Sequence, residues 1–250
     1  MERILVWDLP VRFLHWVLAA LFVVSFALAT VAGEKSAAFG LHAVLGTLAV
    51  SVVALRLLWG LVGSRTARFG AFSFRPSALF AYLRAAVGLG PRTAHDGHNP
   101  ASSWFAIALF AGLLGLGVTG FLRGRGVERF EDLHEALAWG VAGLSVLHVA
   151  GIVWHRVRTR ENLAWSMVSG KRAGLPVDAI PDSRRGSAAA LVLITAAWTG
   201  AVFAGYDPAT RRLTVPLVGT TLTIGEEDEK GADGASKTER KRDGHKHDDD

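Results

Sequence analysis

Residues 133–155 read LHEALAWGVAGLSVLHVAGIVWH. At 1.5 Å of rise per residue, a helix of about 20 apolar residues crosses the roughly 30 Å hydrocarbon core of a bilayer, so this stretch is long enough to span. It nevertheless carries His134 and His148 inside it and His155 at its end. An imidazole taken from water into hydrocarbon without a partner loses hydrogen bonds at a cost of roughly 2 to 7 kcal/mol. Compensation has to come from a partner side chain, a water-filled cavity or a metal.

The rest of the chain places this segment among others of its kind. Half of the 250 residues are hydrophobic and the mean hydropathy is +0.31, with charge sparse through the middle and dense between apolar runs and at the C-terminus. That profile belongs to a polytopic membrane protein. Cysteine is absent, which excludes disulfides, thiolate-held iron–sulfur clusters and covalently attached c-type haem. Any metal must be held by nitrogen or oxygen. The net charge of +5 and isoelectric point near 10.0 come from arginines beside apolar spans rather than on one soluble face, so they read as topology signals and not as a nucleic-acid surface.

Five stretches qualify as spans, near 12–31, 38–61, 101–122, 133–155 and 187–205. The first follows Arg3 and Arg12, but bulky Phe13, His15 and Trp16 and the poor cleavage site at Gly33-Glu34 mark it as a mature helix rather than a signal peptide. Lysine and arginine concentrate in 62–100 and 156–186, which predicts that both face the cytoplasm. The N-terminus is then cytoplasmic and the C-terminal tail periplasmic, in the inner membrane of a bacterium. Residues 173–186 read as a cytoplasmic linker. Within 206–225, a small extramembrane segment, the alternation RRLTVPLVGTTLTIG at 211–225 predicts a hairpin interrupted by Pro216. Residues 226–250 lack apolar side chains large enough to build a core and read as a disordered charged tail.

Depth sorts the histidines. His134 and His148 are fourteen residues apart, which returns to within about 40° on a helix and separates the rings by about 21 Å along its axis. His15 opens the first span and shares the cytoplasmic depth of His148. His42 opens the second span and shares the periplasmic depth of His134. Two His/His pairs at two levels of a helical bundle match what two stacked b-type haems require, one axial nitrogen from each side of each iron. Arg56, fourteen residues beyond His42, and Arg12, one turn before His15, could each neutralise a haem propionate, although Arg56 could equally snorkel to the surface. Gly46 and Gly151 leave room beside His42 and His148, and Gly112, Gly115, Gly117 and Gly120 let the third span pack closely.

Blander readings apply elsewhere. His155, two turns past His148 at the membrane edge, is a reserve ligand. HDGHNP at 95–100 reads as a turn in which Asn99-Pro100 starts the third span, and the terminal HKHDDD as a solvated charge run.

Several motifs carry a resemblance: VWDLPVRFLHW at 6–16, LHAVLGTLAVSVVALRLLWGLVGSRTARF at 41–69, GHNP at 97–100, LHEALA at 133–138, LHVAGIV at 147–153 and ENLAWSMVSGKR at 161–172. Over about two thirds of its length the chain resembles the bacterial cytochrome b561 family, which includes the b-type cytochrome subunits of nickel–iron hydrogenases. The resemblance implies a four-helix membrane domain over 1–172 with two haems, axial ligands at His15, His42, His134 and His148, and electron transfer between a quinone pool and a redox partner. That partner would be a c-type cytochrome, or a dehydrogenase or hydrogenase. The whole chain is then all-α: an integral membrane four-helix haem-binding bundle, a fifth C-terminal transmembrane helix and the tail, the last two lying outside the resemblance.

The main rival is a zinc or copper transporter or sensor using the same histidines. It predicts one convergent cluster, with carboxylates or methionines nearby. Here the histidines divide between two depths, there are two methionines, and Glu135 is the one acidic residue beside a core histidine. No catalytic residue is assigned; quinone oxidoreductase activity stays open.

Overall fold

The structure is a computed structural model that describes residues 2–33, 36–91 and 99–225. The tail at 226–250, with its HKHDDD, and both histidines of HDGHNP lie outside the described residues. In chain order the elements are β1 (Glu2–Leu5), α1 (Leu9–Val31), α2 (Ala37–Val62), α3 (Pro76–Ala86), α4 (Pro100–Gly124), α5 (Glu131–Thr159), α6 (Leu163–Ser169), β2 (Lys171–Gly174), α7 (Arg185–Ala204), β3 (Tyr206–Asp207), β4 (Arg212–Thr214) and β5 (Thr221–Thr223). Among the described residues, α1, α2, α4, α5 and α7 are the five helices long and apolar enough to cross a membrane. The chain is therefore an all-α, multi-pass membrane protein.

Local chemistry sets where these helices begin. α1 starts three residues before the apolar run suggests, because Asp8 accepts a hydrogen bond from Val11 N at 2.8 Å and Pro10 sits in the first turn, where its missing N–H goes unused. Ser36 caps α2 through Phe39 N at 3.2 Å, and Asn99 caps α4 through Ser102 N at 2.8 Å with Pro100 as the first helical residue. α5 has no side-chain cap but carries Glu131 and Asp132 in its first turn and Arg156 and Arg158 in its last, complementing the helix dipole at both ends.

The five spans alternate in direction. β1 pairs antiparallel with β2, Glu2 opposite Gly174 and Leu5 opposite Lys171, so the N-terminus meets the chain beyond α5 on one face of the bundle. Around that ribbon, Trp7 Nε1 donates to Ser166 Oγ at 3.3 Å, Thr66 Oγ1 donates to Val6 O, and Ile180 N donates to Leu5 O at 2.9 Å. Ile4, Val6, Trp7, Val11 and Ala67 form its core. The stretches 62–100 and 173–186, expected as loop and linker, thus contain α3, part of β2 and a packed junction; their order comes from partners distant in sequence.

The opposite face carries a three-stranded sheet in the order β3-β4-β5. The hairpin expected at 211–225 is present, with Leu213 opposite Leu222, and it gains a third strand from Tyr206–Asp207, a pair too short to show alternation. Leu213 and Ile224 are buried with Val44, Leu48 and Val202, which ties the sheet to α2 and α7. A Cβ on Gly124 would stand 2.9 Å from that of Leu222, and one on Gly40 would fall on Tyr206 Oη, so both glycines permit the sheet to seat.

Between the faces, Val53, Leu113 and Val141 make a buried cluster joining α2, α4 and α5. A Cβ on Gly112 would lie 2.5 Å from Val141 Cγ2. Gly112→Leu is expected to overpack the α4–α5 contact and destabilise the protein by about 1 to 3 kcal/mol, read as a lowered thermal midpoint in detergent.

Candidate functional site

The bundle brings its four core histidines together as two pairs. The rings of His15 on α1 and His148 on α5 face each other with centres 6.5 Å apart and planes at 61°. Those of His42 on α2 and His134 on α5 are 6.1 Å apart at 89°. The first pair lies toward the N-terminal face and the second toward the face with the sheet, so α5 is the common strut of both.

One pair is held by hydrogen bonds. His42 Nδ1 is 2.9 Å from both the carbonyl and the Oγ of Ser25, and Ser25 Oγ in turn donates to His42 O at 3.2 Å. His134 Nδ1 is 2.8 Å from Thr119 Oγ1, whose own proton goes to Gly115 O at 2.8 Å. The Ser25 carbonyl can only accept, so His42 donates from Nδ1 and its Nε2 lone pair is left for a metal; a metal on His134 Nε2 would likewise put that ring's proton on Nδ1, facing Thr119 Oγ1. Ser25 and Thr119 are 6% and 4% exposed. Sequence reasoning missed both, since an isolated hydroxyl in a membrane helix ordinarily bonds back to its own turn; the signal was their polarity inside otherwise apolar runs. His15 and His148 have no hydrogen-bond partner among the described residues.

The seam between the paired helices has room. The backbones of α1 and α2, α4 and α5, and α2 and α4 run close together, whereas α5 stands farther from α1 and α2, the helices whose histidines it faces, and meets them through side chains such as Trp139 on Phe26. A Cβ on Gly46 or Gly151 would meet nothing within 4 Å, and one on Gly120 would stand 3.2 Å from His134 Cε1, so Gly120 lets that ring lie against α4. With a metal–imidazole bond of about 2 Å and a ring centre roughly 1 Å behind its nitrogen, two axial rings on one metal stand roughly 6 Å apart. Both pairs meet that spacing, and the nitrogen-only donor set suits a haem iron with two axial imidazoles.

Charge collects at the N-terminal face. Arg56 is 7% exposed, which rules out snorkelling; Nη2 donates to Ala67 O at 3.2 Å, Nη1 is buried without a partner, and the guanidinium lies between the Phe69 and Phe110 rings at 5.9 and 5.8 Å. Arg12 donates from Nη1 to Val168 O, with its Nε buried and unpaired. Asp8, fully buried, accepts from Val11 N and from Trp59 Nε1 at 3.1 Å and interacts electrostatically with both arginines. The orphaned donors of Arg12 and Arg56 suit an anionic group such as a propionate. His155 turns to Glu161, with Nε2 3.2 Å from Oε2, and Glu161 also pairs with Arg172 at 3.4 Å, so the ring expected as a reserve ligand is engaged with a carboxylate.

Among the described residues, no three His, Cys, Asp or Glu side chains converge on a metal-sized site. The donors come in twos. The model of the family described as prokaryotic cytochrome b561 matches residues 6–170, which takes in all four core histidines and leaves α7 and the sheet outside. No curated protein and no solved structure matches the chain.

Proposed function

The chain belongs to the prokaryotic cytochrome b561 family, a multi-pass membrane b-type cytochrome of electron transfer, and we propose that it holds two haems and passes electrons across the bilayer between a quinone pool and a redox partner. The observation that carries this reading is the pairing of four imidazoles at two depths, with centres 6.1 and 6.5 Å apart. His15 and His148 would hold one haem and His42 and His134 the other, with Arg56 and Arg12 neutralising propionates at the N-terminal face. Bound haem supplies a one-electron iron couple that needs no proton at the metal.

The chain's own residues do the remaining work. Ser25 and Thr119 orient the His42 and His134 rings, the apolar walls exclude water, and the buried guanidinium of Arg56 supplies positive charge where hydrocarbon offers none. The arginine-rich segments on the N-terminal face favour the cytoplasmic side of a bacterial inner membrane for that face, and the periplasm for the sheet. A c-type cytochrome, or a dehydrogenase or hydrogenase, would then exchange electrons there. The rival reading, zinc or copper transport, asks for convergent ligands, and the histidines stand in twos.

The test is a dithionite-reduced minus oxidised spectrum of the purified protein with haem quantified per chain. A sharp b-type α-band with about two haems per chain is expected. A featureless spectrum from folded protein produced with ample haem would overturn the proposal.

A further inference from the structure

The two histidine pairs differ in their hydrogen-bond partners and in the charges near them. At the sheet-bearing face, His42 donates from Nδ1 to the Ser25 carbonyl, and His134, with Nε2 on an iron, would carry its proton on Nδ1, 2.8 Å from Thr119 Oγ1. Such donation raises imidazole basicity and stabilises the more positive, oxidised iron. Arg123 acts electrostatically on both rings there, but it is partly exposed and paired with Glu131 at 3.1 Å, and the carboxylate of Glu135, next to His134 in sequence, adds negative charge. At the N-terminal face, His15 and His148 lack these hydrogen bonds among the described residues. The fixed charges near them are Arg56, Arg12 and Asp8, two cations against one anion. Arg56 is buried and close enough to act electrostatically on His15. A buried cation favours the reduced, less positive iron, and in low dielectric it is weakly screened. Both differences act in the same direction.

Resting on the di-haem reading, we propose that Ser25 and Thr119 are positioning residues that lower the electron affinity of the site at His42 and His134, while Arg56 raises that of the site at His15 and His148. The difference directs an electron from the sheet-bearing face toward the N-terminal face. With the orientation proposed above, that is movement toward a negatively charged interior, and the difference in affinity offsets the opposing membrane potential.

The experiment is a potentiometric titration of the α-band of the haem-loaded, full-length protein, with haem per chain measured in every variant. Two components are expected, assigned by which one is lost in His15→Ala and which in His42→Ala, and the lower midpoint should belong to the His42 site. Thr119→Val should raise that lower midpoint and leave the upper one in place, and Thr119→Ser should restore it. Ser25→Ala should act in the same direction but less, because the Ser25 carbonyl remains as an acceptor. Arg56→Gln should lower the upper midpoint alone. A purely structural role would shed haem without moving the potential of what remains. The inference is overturned if the lower midpoint belongs to the His15 site, or if Thr119→Val and Arg56→Gln leave both midpoints unchanged. Wild-type protein without haem would instead overturn the underlying di-haem reading.

Discussion

Alanine at His148 is expected to remove about half of the bound haem and to leave the remaining α-band with the properties of a single site. His15→Ala should give the same spectrum, because the two rings face one another 6.5 Å apart and would share one iron. His42→Ala and His134→Ala should both remove the other component. The doubly substituted His15→Ala/His148→Ala protein should lose no more than either single variant, since both changes abolish one site. Haem content and difference spectra of the set decide the matter. If His148→Ala and His134→Ala deplete the same component, the pairing across α5 is wrong.

Asp8→Ala is expected to be the most damaging single change to the N-terminal face. The carboxylate is fully buried, caps α1 through Val11 N and accepts from Trp59 Nε1, and it opposes the charges of Arg12 and Arg56. Removing it leaves the Trp59 Nε1 donor without its acceptor, at a cost of about 1 to 3 kcal/mol, and takes away the acidic group that acts electrostatically on both guanidiniums. Losing the cap adds about 1 kcal/mol. Unfolding in detergent should show a large fall in midpoint, and the expected haem loss should fall first on the site of His15, a residue of the second turn of α1. Asp8→Asn keeps an oxygen for the cap but not the charge, so its stability should lie between. If Asp8→Ala unfolds like the unsubstituted protein, the buried charge cluster has no structural importance.

The five spans were legible because hydrocarbon imposes a one-dimensional rule: roughly 20 apolar residues, with backbone hydrogen bonds satisfied within the segment. The histidine faces were legible for a related reason, since helical periodicity converts a spacing of fourteen into a shared side and a known rise. The start of α1 was misjudged by three residues because Asp8-Leu9-Pro10 reads as polar punctuation, although an N-cap followed by an early proline is itself a helix start. β3 was missed because two residues carry no period.

Composition, helical period and charge asymmetry thus determined from the sequence alone that this is a membrane bundle with imidazoles at two depths, since each of those properties is local to a segment. Tertiary structure alone decided that the Nδ1 atoms of His42 and His134 face Ser25 and Thr119, because those residues reach the rings across helix boundaries. It also decided that Arg56 stays inside rather than reaching for the surface, because Phe69, Phe110 and the Ala67 carbonyl enclose it. Contacts between distant segments depend on how helices cross, and no single segment contains that information.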